Sequence, residues 1–195
     1  KSVIIATGAS PRKLQIEGAR ELFGKGVSYC ATCDGFFYSE KDVIVMGGGN
    51  SALNDALYLA DIAKNVKIVY RKSAFTRAEA VLRNRVAERE NIECLFNTDL
   101  KKIAKRDDDK LVVTTTDNKE IICDGLFVAI GHEANTDYLT EDVARDNMGR
   151  LAPDALPRGI FVAGDVQSEL KMQIATAVGT GCSAAMDAIN YLNQL

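Results

Sequence analysis

Two cysteines separated by two residues are the side chains whose types and spacing most directly indicate chemistry. Cys30 and Cys33 lie in the segment Cys-Ala-Thr-Cys-Asp-Gly. Thiols at this spacing can close a small disulfide ring, and such pairs commonly contain one thiol of lowered pKa that acts as the nucleophile in disulfide exchange. Asp34 follows directly, and a carboxylate beside a thiol pair can relay protons. Two unreactive thiols and a turn-forming Asp-Gly are the alternative interpretation.

The remaining cysteines bear on the compartment and on metal binding. Cys94, Cys123 and Cys182 occur singly in apolar segments, and the total of five is odd. This pattern is not a secreted disulfide framework, so we expect these three to be small buried hydrophobic residues in a cytoplasmic protein. A zinc site would need a second closely spaced pair, and the only histidine, His132, does not supply one, so no metal site is predicted.

A glycine-rich turn follows the apolar run Val43–Met46. Its pattern is Gly47-x-Gly49-x-x-Ala52, and apolar residues at helical spacing follow over residues 51–63. In a dinucleotide-binding turn the first glycine permits the tight turn, the second lets the backbone approach a pyrophosphate, and a small third residue allows close helix–strand packing. The helix N-terminus would then face the phosphates. A flexible connection is the alternative, but the strand before and the helix after favour nucleotide binding.

The residues that follow the next strand, Val66–Tyr70, distinguish NADPH from NADH. Arg71 and Lys72 follow it directly, Arg77 comes soon after, and no carboxylate occurs among residues 69–77. An acidic residue here would bind the ribose 2′-hydroxyl of NAD, whereas cations suit a 2′-phosphate. The sequence therefore favours NADPH over NADH, with a solvated basic edge an equally weighted alternative for Lys72.

A nicotinamide and a dithiol need a mediator between them. A dithiol does not efficiently accept a hydride directly, so a two-electron carrier must intervene, and flavin is the usual one. We therefore expect a flavin site as well as a nucleotide site.

The elements that position these groups follow from periodicity. Val3–Ala6 is predicted to be a buried strand, and residues 11–29 a linker with little regular structure. Strand and helix alternate over residues 43–89, short strands with polar turns fill 92–122, and a strand at 159–163 precedes a closing helix over 172–192. This order indicates an α/β fold with a mainly parallel central sheet.

Composition excludes several classes of protein. Hydrophobic residues make up 47% and charged residues 26% of the 195 residues, which is typical of a globular chain rather than a disordered one. The net charge of −3 argues against nucleic acid or an anionic membrane as the main partner. Lys1 is not an initiator residue, so we expect further residues to precede it.

Several of these motifs together resemble the low-molecular-weight thioredoxin reductases within the flavin-dependent pyridine nucleotide–disulfide oxidoreductases. The matching segments follow in family order and span nearly the whole chain. They are Ala6-Thr7-Gly8-Ala9, Cys30–Gly35, Gly47-Gly48-Gly49-Asn50-Ser51-Ala52, Tyr70-Arg71-Lys72 with Arg77, Gly131-His132-x-x-Asn135-Thr136 and Gly159–Val166.

The resemblance implies two Rossmann-like nucleotide-binding domains, with the NADPH domain inserted into an FAD domain. Residues 14–130 would form the NADPH domain with the cysteine pair, residues 131–195 the C-terminal half of the FAD domain, and residues 1–13 the end of its first half. In the family the NADPH domain rotates relative to the FAD domain, which places the hinges here near residues 11–15 and 130–136.

The resemblance also assigns roles to single residues. Cys33 would face the flavin, Cys30 would attack the substrate disulfide, and Asp34 would act as acid and base. Asp165 would accept hydrogen bonds from the ribityl hydroxyls of FAD, and the closing helix would point its N-terminus at the flavin ring. Cofactor contacts are implied for Thr7, Gly8, Gly47, Gly48, Gly49, Asn50, Ser51, Ala52, Arg71, Lys72, Arg77, Gly131, Gly164, Asp165, Gln173, Ile174 and Ala175.

The implied activity is transfer of electrons from NADPH through FAD to the Cys30–Cys33 disulfide and then to thioredoxin or a similar protein, in a homodimer. Three departures from the family pattern stand out. The opening FAD fingerprint is absent, Tyr70 replaces a histidine with Arg77 displaced as though Thr76 were inserted, and Ala134 replaces a proline. A related flavin dithiol reductase with another donor or acceptor, such as NADH or a peroxiredoxin, and a non-catalytic nucleotide-binding fragment are the alternatives.

Overall fold

The computed structural model describes residues 1–168 and 172–195. The chain divides into two compact units: Lys13–Gly131 forms one, and Lys1–Arg12 with His132–Leu195 forms the other. Among the described residues, no helix is long and apolar enough to cross a membrane.

The inserted unit, Lys13–Gly131, is built around a five-stranded parallel sheet. Its strands are β3 (Val27–Ser28), β4 (Asp42–Met46), β5 (Asn65–Val69), β6 (Ile92–Leu95) and β10 (Gly125–Val128). They lie side by side in the order β3-β10-β4-β5-β6. Because both faces are covered, the central strands are continuously apolar rather than alternating. Val43 and Val45 enter the core on one face, and Ile44 enters the core on the other.

Helices cover one face of this sheet and a second sheet covers the other. The helices are α1 (Ala31–Asp34), α2 (Asn50–Ala60) and α3 (Ala80–Ala87), and the second sheet contains β7 (Leu100–Lys105), β8 (Leu111–Thr115) and β9 (Glu120–Cys123) in antiparallel order. Helix α2 buries Leu53, Ala56, Leu57 and Ala60, the i, i+3, i+4, i+7 set of one helical face. The predicted α/β class with a parallel central sheet is confirmed.

The other unit contains two small sheets and one long helix. Strand β1 (Val3–Ile5) pairs in parallel with β12 (Ile160–Val162), and β2 (Ala9–Pro11) pairs antiparallel with β11 (His132–Ala134). Helix α4 spans Ile174–Leu192 and packs against β12 and β1. A small core gathers Ile5, Ala134, Leu151, Val162 and Val166.

Three expectations were wrong in detail. Val3 and Ile4 are exposed rather than buried, because β1 pairs only with β12 in a two-stranded sheet. The predicted linker contains β3, a strand too short to show periodicity between Gly26 and the cysteine motif. Cys182 is exposed on α4 and Cys94 is half-buried, so only Cys123 is the buried thiol that its apolar surroundings predicted.

Candidate functional site

The predicted redox and nucleotide residues of the inserted unit gather at one edge of its sheet. Cys30 follows β3, the glycine turn follows β4, Arg71 follows β5 and Gly131 follows β10. Since these strands are parallel, their carboxyl ends meet at the same edge, where α/β sheets bind ligands. The fold therefore brings together groups that lie up to about a hundred residues apart in the sequence.

Cys30 and Cys33 form a disulfide, with their Cα atoms 5.3 Å apart. Cys30 is the N-cap residue of α1, and its Sγ accepts a hydrogen bond from the backbone N–H of Cys33 at 3.2 Å. Cys33 is exposed and Cys30 is half-buried. The pair is therefore accessible, and a fixed backbone donor is aimed at the sulfur of Cys30.

Asp34 is held by a serine that the sequence analysis missed. The hydroxyl of Ser28 donates to Asp34 Oδ2 at 2.6 Å and accepts from the backbone N–H of Cys30 at 3.0 Å. Ser28 is only 4% exposed, whereas Asp34 is half-buried. A serine two residues before a cysteine carries no recognisable signal, since the contact depends on the bend between β3 and α1.

The three glycines of the turn differ in what surrounds them. A β-carbon at Gly47, whose φ is +147°, would collide with the carbonyl oxygen of Ala129 and lie 2.9 Å from the β-carbon of Ala52. A β-carbon at Gly48 would lie 2.5 Å from the ring of Tyr70. Gly49 has nothing within 4 Å of that position. The turn thus packs tightly on its protein side and is open at Gly49, which fits a close approach by a pyrophosphate.

Helix α2 begins at the turn with its N-cap backbone at Gly49 and no side-chain cap. The side chain of Asn50 is already engaged: its Nδ2 donates to Glu79 Oε1 at 2.9 Å, and its Oδ1 accepts from the backbone N–H of Glu79 at 2.8 Å. Ser51 is exposed and Ala52 is fully buried. Asn50 can therefore offer a nucleotide its backbone N–H, while its side chain links α2 to the start of α3.

The basic side chains after β5 are exposed. Arg71, Lys72 and Arg77 all face solvent, and Lys72 Nζ donates to Thr76 Oγ1 at 3.5 Å. Within the described ranges no acidic side chain forms an ion pair with any of the three, so their charge is available to an anion. This arrangement fits a 2′-phosphate, because a solvated guanidinium forms bidentate contacts with phosphate oxygens.

The predicted flavin residues lie in the other unit, around the start of α4. Gly164 and Asp165 lie in a 3₁₀ turn directly after β12, and the Gly164 N–H donates to Thr180 Oγ1 at 2.9 Å. Gln173, Ile174 and Ala175 are exposed at the start of α4, where the side chain of the N-cap residue Gln173 forms no capping hydrogen bond within the described part of the chain. The N-terminus of this helix suits the anionic groups of a cofactor, and the half-exposed carboxylate of Asp165 suits its hydroxyl groups.

The segment containing Thr7 and Gly8 is tied into the same unit. Thr7 Oγ1 donates to the carbonyl oxygen of Asn135 at 2.7 Å, and the backbone N–H of Asn135 donates to Gly8 O at 2.9 Å. A β-carbon at Gly8 would meet nothing within 4 Å. The side chain of Thr7 is thus occupied, and the open backbone of Gly8 is what could meet a ligand. Gly131, at the end of the other unit, has a φ of +107°, and no described atom lies within 4 Å of a β-carbon placed there.

The fold and the site together define a class of nucleotide-dependent redox protein, and comparison with known proteins identifies it. The family model described as "Pyridine nucleotide-disulphide oxidoreductase" matches residues 1–181. The chain belongs to this family. Thioredoxin reductases within this family use FAD and NADPH.

Similar proteins within the family are named thioredoxin reductase. The chain is 38% identical to the thioredoxin reductase of Rickettsia felis, over all of this chain and 66% of that protein, and 39% identical to that of Escherichia coli O157:H7, over all of this chain and 65% of that protein. The crystal structure of Lactococcus lactis thioredoxin reductase in its FR conformation aligns over all of this chain and 67% of its own, with a TM-score of 0.85 and 34% identity. The chain spans about two thirds of these relatives, and its fold is that of thioredoxin reductases with Rossmann-like domains.

Proposed function

We propose that this chain is part of a thioredoxin reductase that passes electrons from NADPH, through FAD, to the Cys30–Cys33 disulfide and on to thioredoxin or a similar protein disulfide. The observation that carries the proposal is the placement of an accessible disulfide and an open dinucleotide turn at the same carboxyl edge of one sheet. The relatives named thioredoxin reductase support the same activity. FAD, when bound, would supply two-electron transfer between a hydride donor and a disulfide.

Cys30, Cys33 and Asp34 have separate roles in the exchange of disulfides. The thiolate of Cys30 attacks the substrate disulfide, a mixed disulfide forms and one substrate thiolate leaves. Cys33 then attacks the sulfur of Cys30, which releases the second substrate thiolate and restores the Cys30–Cys33 bond. Two electrons and two protons pass to the substrate, and we assign to Asp34 the transfer of protons between the thiols and the leaving groups.

The binding roles follow the two units. We assign NADPH binding to residues 14–130, with Gly47, Gly48, Gly49 and the start of α2 at the pyrophosphate and Arg71, Lys72 and Arg77 at the 2′-phosphate. Residues 1–13 and 131–195 are assigned to the FAD domain, with Asp165 and the start of α4 nearest the flavin. The division of the chain into units Lys13–Gly131 and the remainder supports this assignment.

The proposal also includes a protein substrate, an oligomeric state and a cellular compartment. Thioredoxin is the proposed protein substrate, because the similar proteins carry its name. We further propose a homodimer working in the cytoplasm, where the exposed free thiol of Cys182 would stay reduced.

The experiment that tests the nucleotide half is a titration of the chain with NADPH and with NADH by isothermal calorimetry. Tighter binding of NADPH by about tenfold or more is expected, because Arg71, Lys72 and Arg77 would meet the 2′-phosphate with charge-assisted hydrogen bonds. The variant Arg77→Ala should remove most of that preference. Equal affinity for the two nucleotides would contradict the assignment.

The redox half is tested by thioredoxin-dependent oxidation of NADPH in the presence of FAD. The variants Cys30→Ser and Cys33→Ser should each lose this turnover while binding NADPH as the unaltered chain does. Cys182→Ser is the matched control, because it removes an exposed thiol of the other unit and should leave turnover unchanged. Full turnover by either variant of the pair would refute their roles.

A further inference from the structure

Ser28 occupies the point where the redox helix and the carboxylate beside it are joined. Its hydroxyl carries a single proton, which it donates to Asp34 Oδ2 at 2.6 Å, and its lone pairs accept the backbone N–H of Cys30 at 3.0 Å. The serine lies in β3, which pairs with β10 of the parallel sheet. One buried hydroxyl therefore connects the sheet, the first redox cysteine and the carboxylate.

The hydrogen bond from Ser28 fixes the position of the Asp34 carboxylate. Hydrogen bonds to carboxylates are shorter and stronger than neutral ones, and the 2.6 Å separation lies in that range. The carbonyl oxygen of Cys30 lies farther from the same hydroxyl, at 3.4 Å, so the carboxylate is the nearer acceptor for its one proton. A carboxylate that exchanges protons with the thiols must be held within reach of them, so this orientation matters for the exchange step.

We propose that Ser28 is a positioning residue for disulfide exchange: it holds the carboxylate of Asp34 in a fixed orientation beside the Cys30–Cys33 pair. The proposal rests on the proposed function for the role of Asp34. In the exchange the dithiol gives two electrons and two protons to the substrate disulfide, whose S–S bond breaks as the Cys30–Cys33 bond forms. Ser28 takes no part in the bond changes and acts only through Asp34.

Two tyrosines lie near the redox motif, and their effects have to be separated from that of Asp34. Tyr38 lies in the turn that follows α1, and burial raises its pKa, with the negative charges of Asp34 and Asp124 contributing. Tyr58 of α2 packs, with Leu59, against the backbone of Gly35, the residue that follows Asp34. A comparison made with and without the carboxylate of Asp34 isolates the contribution of Ser28 from these groups.

The test is single-turnover oxidation of the reduced chain by bis(2-hydroxyethyl) disulfide, with acid quenching and mass spectrometry of the Cys30–Cys33 peptide. An alkyl disulfide is chosen because its thiolate product needs a proton. Ser28→Ala should slow the reaction about tenfold near neutral pH.

Two further variants separate positioning from simple structural support. In an Asp34→Asn background, Ser28→Ala should change the rate by less than about twofold, because the group through which it acts is gone. Ser28→Thr keeps the hydroxyl and should restore most of the rate. Ser28→Gly serves in place of Ser28→Ala if circular dichroism shows that the alanine variant does not fold.

The matched control is Thr115→Val. Thr115 is also buried, and its Oγ1 donates to Asp117 Oδ1 at 2.6 Å, but it lies in β8 of the other sheet. This variant should keep the rate of the unaltered chain. An equal loss from Ser28→Ala with and without the Asp34 carboxylate would overturn the proposal, and so would a Ser28→Thr variant as slow as Ser28→Ala.

The assay contains no NADPH, FAD or thioredoxin, so its outcome is independent of the flavin pathway. If the coupling between Ser28 and Asp34 is measured but no flavin-dependent turnover occurs, the result counts against the proposed function alone. If flavin-dependent turnover occurs but the coupling is absent, the result counts against the role of Ser28 alone.

Discussion

Gly47 and Gly49 occupy the same turn but meet different surroundings. Gly47 has a positive φ and a protein wall at its Cα, whereas Gly49 has open space there. We expect Gly47→Ala to lower the free energy of unfolding by about 2 kcal/mol or more, through backbone strain and the collision with Ala129. Gly49→Ala should change it by less than about 0.5 kcal/mol and instead weaken NADPH binding at least about tenfold.

Urea unfolding and calorimetric titration of the two variants check this contrast. A fold that is equally stable in both variants, or a Gly49→Ala variant that binds NADPH normally, would show that the turn does not meet the nucleotide as assigned.

Asp55 makes stability depend on pH. Burial on α2 raises its pKa from 3.8 to about 6, so the folded chain binds more protons than the unfolded chain between those pH values. The free energy of unfolding therefore falls as pH rises from 3.8 to about 6, and the whole of this loss is present above pH 6. The shift corresponds to roughly 3 kcal/mol, which we reduce to about 1 kcal/mol because the carboxylate keeps contact with water.

The variant Asp55→Asn removes this loss of stability, because the amide does not ionise. Its free energy of unfolding should exceed that of the unaltered chain by about 1 kcal/mol at pH 7.5, and the two should converge near pH 4. Urea unfolding at both pH values measures the difference. A variant that is less stable at pH 7.5 would show that the ionised carboxylate has a stabilising partner.

At the scale of elements, the reciprocal pair between Asn50 and Glu79 joins the start of α2 to the start of α3. Residues 71–77, which carry the basic side chains, lie in the chain between β5 and this junction. We expect Glu79→Ala to raise the dissociation constant for NADPH several-fold more than that for NADH. The reason is that the segment facing the 2′-phosphate loses its anchor while the glycine turn is kept.

Asn65→Ala provides the matched control for that prediction. Asn65 also hydrogen-bonds an acidic side chain, Asp42, at 2.7 Å, but both residues lie at the amino ends of their strands, opposite the nucleotide edge. Calorimetric titration should show unchanged affinity for both nucleotides in this variant. An equal loss for NADPH and NADH in Glu79→Ala would place the effect on the pyrophosphate turn instead.

At the scale of the whole molecule, the two units bury their apolar residues to different degrees. Strands β4 and β10 are almost wholly buried within a five-stranded sheet. Strand β1 leaves Val3 58% exposed, and α4 leaves Ile174 87% exposed. The relatives contain a further third of chain beyond the part that aligns with these units.

We therefore expect hydrogen exchange to separate the two units. Amides of β4 and β10 should exchange only at the rate of global unfolding, and amides of β1 and β12 should exchange at least about a hundredfold faster. Native-state exchange followed by mass spectrometry measures both sets. Equal protection of the two sets would show that the small sheet is as stable as the large one.

Local patterns in the sequence were enough to predict the class of fold, the cysteine pair and the glycine-rich turn. These depend on local periodicity and on residues within a short stretch: the apolar run Val43–Met46, the glycines after it and the Cys30–Cys33 spacing all act through their neighbours in the chain. The boundaries of α2 and β7 followed from the same patterns to within a few residues.

Contacts between residues distant in the chain could not be predicted in this way, because they form only when the elements pack together. The hydroxyl of Ser28 reaches Asp34 because of the bend between β3 and α1, and Asn50 reaches Glu79 across 29 residues. The exposure of Val3 and Cys182 likewise depends on what covers their elements, which no local pattern encodes. Periodicity reports which face of an element is apolar, but the partner of that face, and the partner of each polar side chain, is fixed only when the elements pack.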